Sequence, residues 1–365
     1  MLIFKYLLRE TFKSQIAVFV ILMSIFITLR FVRILGDATD GNVPADLVLG
    51  FITLYSPVLA SLVLPISLFL GIMLAHGRLY VDSEITVLKA CGVSEWYITR
   101  IALVFSLFIA VITATVTLYL SPLSLEKEYQ LKEDAAAKSG IAALIPGRFQ
   151  ETGNSNAVIF THEISDGELK RVFLSQQNKQ SDELQIIYSQ SGTIEEGPAG
   201  EQKLVLNTGT QYQGHTKESD YHIVNFDQYS IVVAEGQSQQ ARRKPAAIPT
   251  SELWNTAGIE AAAELQWRLA IPLSLPLLVL IAVPMSSVDP RQGRFGRMLP
   301  ALLLYLGYFL LLLASRRLME DNKLPSFVGL WWVHVVMLLV GVTLLVRGRK
   351  TGAYFRRVLL RKQDA

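Results

Sequence analysis

The sequence predicts an α-helical membrane protein with six transmembrane helices, arranged as three plus three, and an all-β domain inserted between the two sets. Two observations indicate this fold class. Hydrophobic residues make up 51% of the 365 residues and charged residues only 18%, whereas a soluble domain carries roughly 25% charged residues. The apolar residues form long runs towards both ends of the chain, and a polar stretch rich in strand-forming residues lies between them.

Six segments are long and apolar enough to cross a bilayer, which requires about 20 mostly apolar residues in one helix. They lie near 15–35, 47–75 and 98–120 in the first set, and near 267–288, 298–314 and 327–346 in the second. Glycines in or near these segments are expected to permit close helix packing; they are Gly71, Gly77, Gly307 and Gly341. We therefore divide the chain into an N-terminal membrane half at 1–121, a β domain at 122–258 and a C-terminal membrane half at 259–365.

The positions of Lys and Arg predict the orientation, because short cytoplasmic loops of membrane proteins are enriched in both. Basic residues concentrate near the two termini and in the two loops on the same side, whereas the loop after the first span carries Asp37, Asp40 and Asp46. This distribution places both termini in the cytoplasm and the β domain across the membrane. The basic residues on the predicted cytoplasmic side are Lys5, Arg9, Lys13, Arg78, Lys89, Arg100, Arg291, Arg294, Arg297, Arg347, Arg349, Lys350, Arg356, Arg357, Arg361 and Lys362.

The segment before the first span has a basic helical face, since Lys5, Arg9 and Lys13 recur every four residues. We interpret 1–13 as an interfacial helix that lies on the inner leaflet. A cytoplasmic extension of the first span explains the same pattern equally well.

In the β domain, short runs rich in β-branched and aromatic residues alternate with polar clusters, a pattern typical of an antiparallel sandwich or roll. In one run, Leu204, Leu206 and Thr208 alternate with Val205 and Asn207, which indicates a strand with two different faces. An acyl-chain groove and an ordinary core have the same composition, and the plain core is the better interpretation for any single residue. The residues expected to point inward are Phe149, Val158, Phe160, Ile187, Leu204, Leu206, Tyr212, Ile223 and Phe226.

Helices are predicted on both sides of the β domain. The first, at 126–138, continues the third span, and the second, at 250–264, enters the fourth with Thr250 or Ser251 as its N-cap. The clusters predicted to form turns between strands are 165–167, 196–200 and 207–209.

The sequence contains no recognisable catalytic motif. It has no G-x-x-x-x-G-K-[ST] phosphate loop, no H-E-x-x-H, no paired C-x-x-C and no G-x-S-x-G. The five histidines are scattered without metal-ligand spacing, and Cys91 is the single cysteine. We therefore expect a channel, transporter or scaffold, and the net charge of +3 gives no support to a nucleic-acid partner.

The loop between the second and third spans contains the most specific local pattern. Ser83 suits an N-cap, Glu84 favours the first helical turn, and Gly92 suits the left-handed conformation that ends a helix. These residues predict a short helix with Ile85 and Leu88 on one side. A permease of the ABC class docks such a helix into a groove of its ATPase, where Glu84 would pair with a basic residue. A solvated helix that only connects two spans is the alternative.

Arg30 and Arg33 lie near the outer end of the first span, and an arginine in the hydrocarbon costs about 2.5–3.5 kcal/mol at the helix centre. They are three residues apart and so share a helical face. Arginine donates bidentate hydrogen bonds to phosphate, which makes the pair a candidate site for a lipid phosphate. Snorkelling to the outer interface and pairing with Asp37 are the alternatives.

Several stretches of the sequence resemble the LptF/LptG family of lipopolysaccharide export permeases, and the similarity covers essentially the whole chain. The N-terminal stretch and Arg33–Gly36 are more similar to LptF than to LptG. The matching stretches are Tyr6–Glu10, Phe31–Gly36, Leu64–Leu70, Ser83–Gly92, Val283–Pro284 and Asp289–Arg294.

This resemblance implies a non-catalytic permease subunit of an ABC transporter, which extracts lipopolysaccharide from the bacterial inner membrane and passes it to a periplasmic bridge. The implied partners are an LptG-like second permease, an LptB-like ATPase dimer, an LptC-like membrane-anchored β-jellyroll protein and an LptA-like bridge. ATP and Mg²⁺ would be bound by the ATPase, so this chain itself would hold no cofactor and no metal. The inserted domain would be a periplasmic β-jellyroll.

The resemblance also implies roles for individual residues. Glu84 would lie on the helix that couples the permease to the ATPase, together with Ser83, Ile85 and Leu88. The lipid cavity would lie between the two permeases, lined by the first and fifth spans. The implied lipopolysaccharide-binding residues are Arg30, Arg33, Phe26, Leu62, Leu304 and Phe309, and those of a lipid path in the β domain are Phe149, Val158, Phe160 and Ile223.

Two other functions fit parts of the sequence. A mechanotransmitting ABC subunit also has a large outer domain, but it moves no substrate itself and usually has four spans. A membrane-anchored assembly scaffold without transport is the second alternative. An enzyme that modifies lipid A has the least support, because no nucleophile and base are paired in the sequence.

Overall fold

The computed structural model describes residues 2–39, 45–139, 146–152, 157–165, 168–178, 183–196, 202–215, 221–234, 243–287 and 295–347. The basic tail after Arg347 and the stretch Asp289–Arg294 lie outside these residues, as do most of the turns predicted at 165–167 and 196–200. The chain forms two compact units. The first contains Met1–Val32, Gly50–Glu128 and Lys244–Ala365, and the second contains Arg33–Leu49 and Tyr129–Arg243. The two predicted membrane halves therefore belong to one helical unit.

Apolar helices of spanning length are confirmed for five of the six predicted spans within the described residues. A π-helical turn at Val116–Leu120 joins the third span to the helix that follows it. The last apolar helix is shorter, at Trp331–Val346. The helices are α1 (Leu2–Thr39), α2 (Val48–Val81), α3 (Glu84–Ala90), α4 (Glu95–Thr115), α5 (Ser121–Ser139), α6 (Thr250–Leu253), α7 (Ile259–Met285), α8 (Met298–Glu320) and α9 (Trp331–Arg347).

Two helix boundaries differ from the predictions. α1 is continuous from Leu2 to Thr39, so its first residues extend the first span and do not form a separate interfacial helix. The single helix predicted at 250–264 is wrong, because α6 ends at Leu253 and α7 begins after Gly258, whose φ of 140° interrupts the helix. Neither Thr250 nor Ser251 is an N-cap, since Pro249 occupies that position.

The main core of the helical unit is built by α2, α4, α7, α8 and α9. Close helix packing is confirmed at two of the predicted glycines. A Cβ on Gly71 would lie 2.7 Å from the Cα of Gln15 in α1, and one on Gly341 would lie 2.8 Å from the Cβ of Leu280 in α7. Gly307 has open space around it, so the prediction is wrong there.

The second unit contains one antiparallel sheet, which confirms a strand-rich domain in the middle of the chain, and it also includes the ends of α1 and α5. Its strands pair in sequential order, so the described residues form a meander of one sheet and not a sandwich of two. Side chains from β2 to β6 pack into one cluster, in which Ile159, Ile187 and Leu204 are fully buried. In the part of the chain that the structure describes, this cluster consists of strand side chains alone, which indicates that the sheet curves around its own core. The strands are β1 (Phe149–Thr152), β2 (Ala157–Ser165), β3 (Glu168–Asn178), β4 (Glu183–Glu196), β5 (Gln202–His215) and β6 (Tyr221–Ala234).

The backbone pairing between neighbouring strands is interrupted at one residue in each of β2 to β6. These residues form a row across the sheet, and we call this row the crease. Arg171 and Thr208, both in the row, have positive φ angles of 52° and 50°. Beside it, the buried hydroxyls of Thr161 and Ser189 donate to backbone carbonyls and replace missing ladder bonds. The skipped residues are His162, Arg171, Gln190, Thr208 and Asp227, with paired residues on both sides of each.

The crease changes which residues point inward. Along each strand the inward residues are two apart, but Leu169 and Val172 in β3, which flank the crease, are three apart and both are buried. The turn predicted at 207–209 is therefore wrong, because these residues continue β5 through the crease. Thr208 does not share the face of Leu204 and Leu206, since its left-handed backbone leaves it exposed.

The predicted inward set divides between the two faces of the sheet. Ile187, Leu204 and Leu206 are buried and Phe226 packs beside them, as predicted. The prediction is wrong for the other five, which lie on the opposite face because each is offset by one residue from a buried neighbour in the strand register. Apolar composition did not separate the faces, because both faces carry apolar residues. The five are Phe149, Val158, Phe160, Tyr212 and Ile223.

Candidate functional site

The helix predicted between the second and third spans exists as α3. Gly92 has a φ of 91°, as predicted for the residue that ends it. Ser83 occupies the N-cap position, but its φ is 61° and its side chain makes no capping hydrogen bond. The predicted N-cap position is therefore confirmed, but without a side-chain cap, because the tight turn from α2 removes the extended conformation that such a cap requires.

The apolar side of α3 faces the protein itself. Leu88 is half-buried, whereas Val87 is 59% exposed and Thr86 is exposed beside it. A partner that docks on α3 would therefore meet Thr86 and Val87, and Ile85 would support the helix from below. Ile85 is fully buried in a cluster with Leu7, Leu79, Ile98 and Ile101.

Glu84 is held by α1. The hydroxyl of Tyr6 donates to Oε2 of Glu84 over 2.6 Å, and no basic side chain among the described residues contacts this carboxylate. One turn further along α1, Glu10 forms an ion pair with Arg78 of α2 and accepts from Nζ of Lys13 at 3.0 Å. Polar contacts thus join the N-terminal part of α1 to both α2 and α3.

Lys89 connects the end of α3 to its neighbours. Its Nζ lies 3.1 Å from the hydroxyl of Tyr80 and 3.5 Å from Oε1 of Glu95. Burial alone would lower the pKa of Lys89, but the hydrogen bond to Tyr80 and the charge of Glu95 raise it above its ordinary value. Lys89 therefore keeps its positive charge next to the exposed side of α3.

Arg30 is partnered within the helical unit, and Arg33 is exposed. The Arg30 guanidinium lies over the ring of Tyr55, 4.1 Å from its centroid, and its Nη2 is 3.5 Å from Oε1 of Glu128. Nε of Arg30 makes no hydrogen bond with any described residue. The buried Nε of Arg30 is thus an unused donor, and neither Arg30 nor Arg33 pairs with Asp37 within the described residues. Sequence reasoning missed Glu128 because it is distant in the chain and reaches Arg30 only through helix packing.

Comparisons with known proteins identify the family of this chain. The family described as "Lipopolysaccharide export system permease LptF/LptG" matches residues 5–347. The chain is similar to the lipopolysaccharide export system permease protein LptF of Escherichia coli K12, with 36% identity over 345 residues that cover 94% of each protein. The LptF of Shigella flexneri shows the same identity and coverage. The chain belongs to the LptF/LptG family.

The apolar residues assigned to lipid binding in this LptF/LptG protein occupy different environments. Leu62 of α2 and Phe309 of α8 meet at a small apolar pocket, which Tyr305 and Tyr308 also line. Phe26 of α1 is exposed and does not reach this pocket. Leu304 of α8 is half-buried against the main core.

A buried polar network in this LptF/LptG protein escaped the sequence analysis. Arg268 of α7 lies inside the predicted fourth span, is 2% exposed, and has a hydrogen-bond partner for each of its nitrogens. Nε donates to Glu264 at 2.9 Å, and Nη1 donates to the Thr250 hydroxyl at 2.8 Å. The signal was present in the sequence, since an arginine in an apolar span requires a partner and Glu264 precedes it by four residues. Nη2 contacts the carbonyl oxygens of Pro245, Ala246 and Ile248 at 3.0 Å each.

The same network extends to α8 and to the π-helical turn. Arg316 of α8 donates to the second oxygen of Glu264 at 2.8 Å and lies over the ring of Trp267. Thr117 of the π-helical turn donates to the carbonyl oxygen of Arg268 at 3.1 Å. The network fixes the segment that leads into α7 against three helices, which is a structural role.

Proposed function

We propose that this LptF/LptG protein is one permease subunit of an ATP-driven exporter that extracts lipopolysaccharide from the bacterial inner membrane. Membership of a family of lipopolysaccharide export permeases supports lipopolysaccharide as the substrate. In this proposal ATP and Mg²⁺ are bound by an LptB-like ATPase dimer, and the permease itself catalyses no reaction and binds no cofactor.

The observation that carries this proposal is the uneven burial of the spans. Only 6% of the most apolar window of α1 and 28% of that of α8 is buried, against 61% for α2 and α7. Of the five described helices that are long enough to span the membrane, the first and fifth spans therefore have the most apolar surface left for another membrane component. We propose that an LptG-like permease faces them and that lipid enters the cavity between the two proteins, past Phe26, Leu304 and Phe309.

The charge distribution and a proposed sixth span support the orientation. With a length of about 26 Å, α9 is slightly shorter than the hydrocarbon core, and we propose that it crosses the membrane nonetheless. With six spans, we propose that both termini lie in the cytoplasm and the β domain in the periplasm, and the basic residues beside the termini support this orientation.

The β domain is proposed to pass the lipid onward. A curved sheet with a row of bulge-like interruptions is consistent with a jellyroll-type roll, although its strand order is sequential. Among the described residues, β6 pairs only with β5, so its other edge offers a long row of backbone donors and acceptors. We propose that an LptC-like jellyroll protein or an LptA-like bridge extends the domain by strand addition at such an edge.

The decisive experiment is affinity purification of the tagged chain in detergent, followed by identification of the bound proteins. An ATPase and a second permease should co-purify, and depletion of the chain should retain newly made lipopolysaccharide in the inner membrane. Purification without an ATPase, or normal lipopolysaccharide at the cell surface after depletion, would contradict the proposal. A mechanotransmitting subunit would bring an ATPase but leave lipopolysaccharide transport intact, and a scaffold would bring no ATPase.

The orientation can be tested separately. Cys91 is the single cysteine and is exposed, so Cys91→Ser provides a background for labelling single introduced cysteines. A membrane-impermeant maleimide added to spheroplasts should label a cysteine at Arg171 in the β domain and leave one at Val87 in α3 unlabelled. The reverse pattern would exclude the proposed orientation.

A further inference from the structure

The strongest unassigned feature is the contact between α3 and α1. α3 follows α2 and precedes α4 in the chain, yet its Glu84 carboxylate is held by Tyr6 of α1. Leu7, beside Tyr6, is 1% exposed and packs in the same cluster as Ile85. A polar contact and an apolar contact on adjacent residues therefore attach α1 to the helix that, under the proposed function, receives the motion of the ATPase.

α1 is suited to carry such motion over a distance. It is one unbroken helix of 38 residues, about 57 Å long, and contains no proline. By contrast α2 contains Pro57 and Pro65, and α7 contains three prolines, which permit bending. The long α1 is also only weakly attached to the bundle along its apolar part, as its low burial shows.

A close backbone contact with α2 divides α1 into two arms. Gln15 is 3% exposed, and its backbone lies against Gly71 of α2 so closely that no side chain fits at that position. Phe12 packs edge-on against Phe105 of α4 one turn away, with 6.2 Å between the ring centroids. The arm from Gln15 to Tyr6 spans about 14 Å, and the arm from Gln15 to Arg30 about 22 Å, at 1.5 Å per residue.

We infer that α1 is a lever that pivots at the Gln15–Gly71 contact, and that Tyr6 is the positioning residue through which α3 moves it. This inference rests on the proposed function, because it requires an ATPase that pushes on α3. A movement of α3 shifts the short arm through Tyr6 and Leu7. The long arm then moves Arg30 by a larger distance in the opposite direction, away from Tyr55 and Glu128. One helix thereby links the side of the permease that faces the ATPase to the proposed phosphate-binding residue.

The test uses the assembled exporter in lipid nanodiscs and measures lipopolysaccharide released per ATP hydrolysed. Tyr6→Phe removes only the hydroxyl, and Glu84→Ala removes its acceptor. Tyr97→Phe is the matched control, since Tyr97 is a similarly exposed tyrosine of the neighbouring α4. We expect Tyr6→Phe to lower the amount of lipopolysaccharide released per ATP several-fold while the rate of ATP hydrolysis stays nearly normal. Tyr97→Phe should change neither quantity. The double variant should be no worse than Glu84→Ala alone, because both changes break the same link.

A second measurement reports the lever itself. In the Cys91→Ser background, one spin label is attached at Leu29 on the long arm and another at Tyr119 on the π-helical turn. Both positions are exposed, so labels fit there without disturbing the core. Their separation should change when a non-hydrolysable ATP analogue is added, and Tyr6→Phe should reduce that change.

The outcomes separate the two proposals. If the wild-type exporter releases no lipopolysaccharide with ATP, the proposed function fails and the lever fails with it. If the wild type transports and Glu84→Ala impairs it, but Tyr6→Phe transports normally, the lever is overturned and the proposed function stands. Losses that multiply in the double variant, or an unchanged spin-label distance in the transporting wild type, also overturn the lever.

Discussion

Arg268 and Glu264 form a buried ion pair of 2.9 Å between side chains one turn apart in α7. Both are at most 6% exposed in their side chains, in a helix that is apolar enough to span a membrane. A buried charge is tolerated when every donor and acceptor is used, and here a second arginine and three backbone carbonyls complete the set. The pair therefore specifies one position for the segment that enters α7.

Replacing Arg268 should be strongly destabilising. Arg268→Met leaves Glu264 with Arg316 as its one basic partner among the described residues and removes the donor to the carbonyls of Pro245, Ala246 and Ile248. We therefore expect a loss of about 3–5 kcal/mol in unfolding free energy. Arg268→Lys should recover only part of this, because an ammonium group cannot reach the same acceptors. The midpoint of thermal unfolding in detergent measures the effect of both substitutions.

The control for this series is Arg317→Met, since the Arg317 side chain is 75% exposed and its ion pairs with Glu320 and Asp321 are long. We expect it to change the midpoint little. Equal midpoints for Arg268→Met and the wild type would show that the network does not stabilise the fold.

The Gln15–Gly71 contact predicts a second difference in stability. Gly71→Ala places a Cβ within 3 Å of the Gln15 backbone and forces α1 away from α2, which should cost about 1–3 kcal/mol. Gly307→Ala is the matched control in α8, because nothing lies within 4 Å of its added Cβ. There alanine should be neutral or stabilise the helix by up to about 1 kcal/mol. Thermal unfolding of both variants checks the prediction, and a Gly71→Ala midpoint at or above that of Gly307→Ala would refute it.

The sequence predicted the apolar spans, the strand-rich domain and the existence of α3, because these depend on composition, periodicity and local stop signals such as Gly92. It did not predict contacts that depend on tertiary packing. The partner of Glu84 is a tyrosine of α1, and the partner of Arg30 is a glutamate of α5, and neither lies near its partner in the chain. The sequence also did not predict Ile85 as a core residue, because the pattern of an amphipathic helix is the same whichever neighbour covers its apolar side.

The prediction of inward residues in the β domain failed for a different physical reason. A period of two assigns faces correctly only while the pleat is continuous, and the crease shifts the inward residues by one in each strand that it crosses. Asn207–Gly209 has turn composition because the crease needs a positive φ at Thr208 and a glycine beside it. The same residue types therefore serve a kink within a strand and a turn between strands.

Gly209 at the crease should be intolerant of any side chain. An added Cβ would collide with the carbonyl oxygen of Tyr188 and the ring of Phe226, so Gly209→Ala should open the sheet locally. Thr208→Asn is the matched variant one residue away, and it should be tolerated because asparagine adopts positive φ more readily than threonine. Limited proteolysis of the full chain should cut the β domain faster in Gly209→Ala only. Equal rates of cleavage in both variants would argue against the crease as a close-packed feature.

We expect Arg30 and Arg33 of α1 to determine how well the permease holds a lipid phosphate. Photo-crosslinking of lipopolysaccharide from a benzophenone amino acid at Phe26 measures this in the assembled exporter. Arg30→Glu and Arg33→Glu, alone or together, should lower crosslinking several-fold because each reverses a charge, while Arg317→Glu, at an exposed arginine of α8, should not. Glu128→Gln should increase crosslinking, since the carboxylate that lies 3.5 Å from Nη2 of Arg30 competes with a phosphate for it. Crosslinking that is unchanged in the double arginine variant would remove both residues from the lipid site, and a decrease in Glu128→Gln would mean that Glu128 orients Arg30 and does not compete for it.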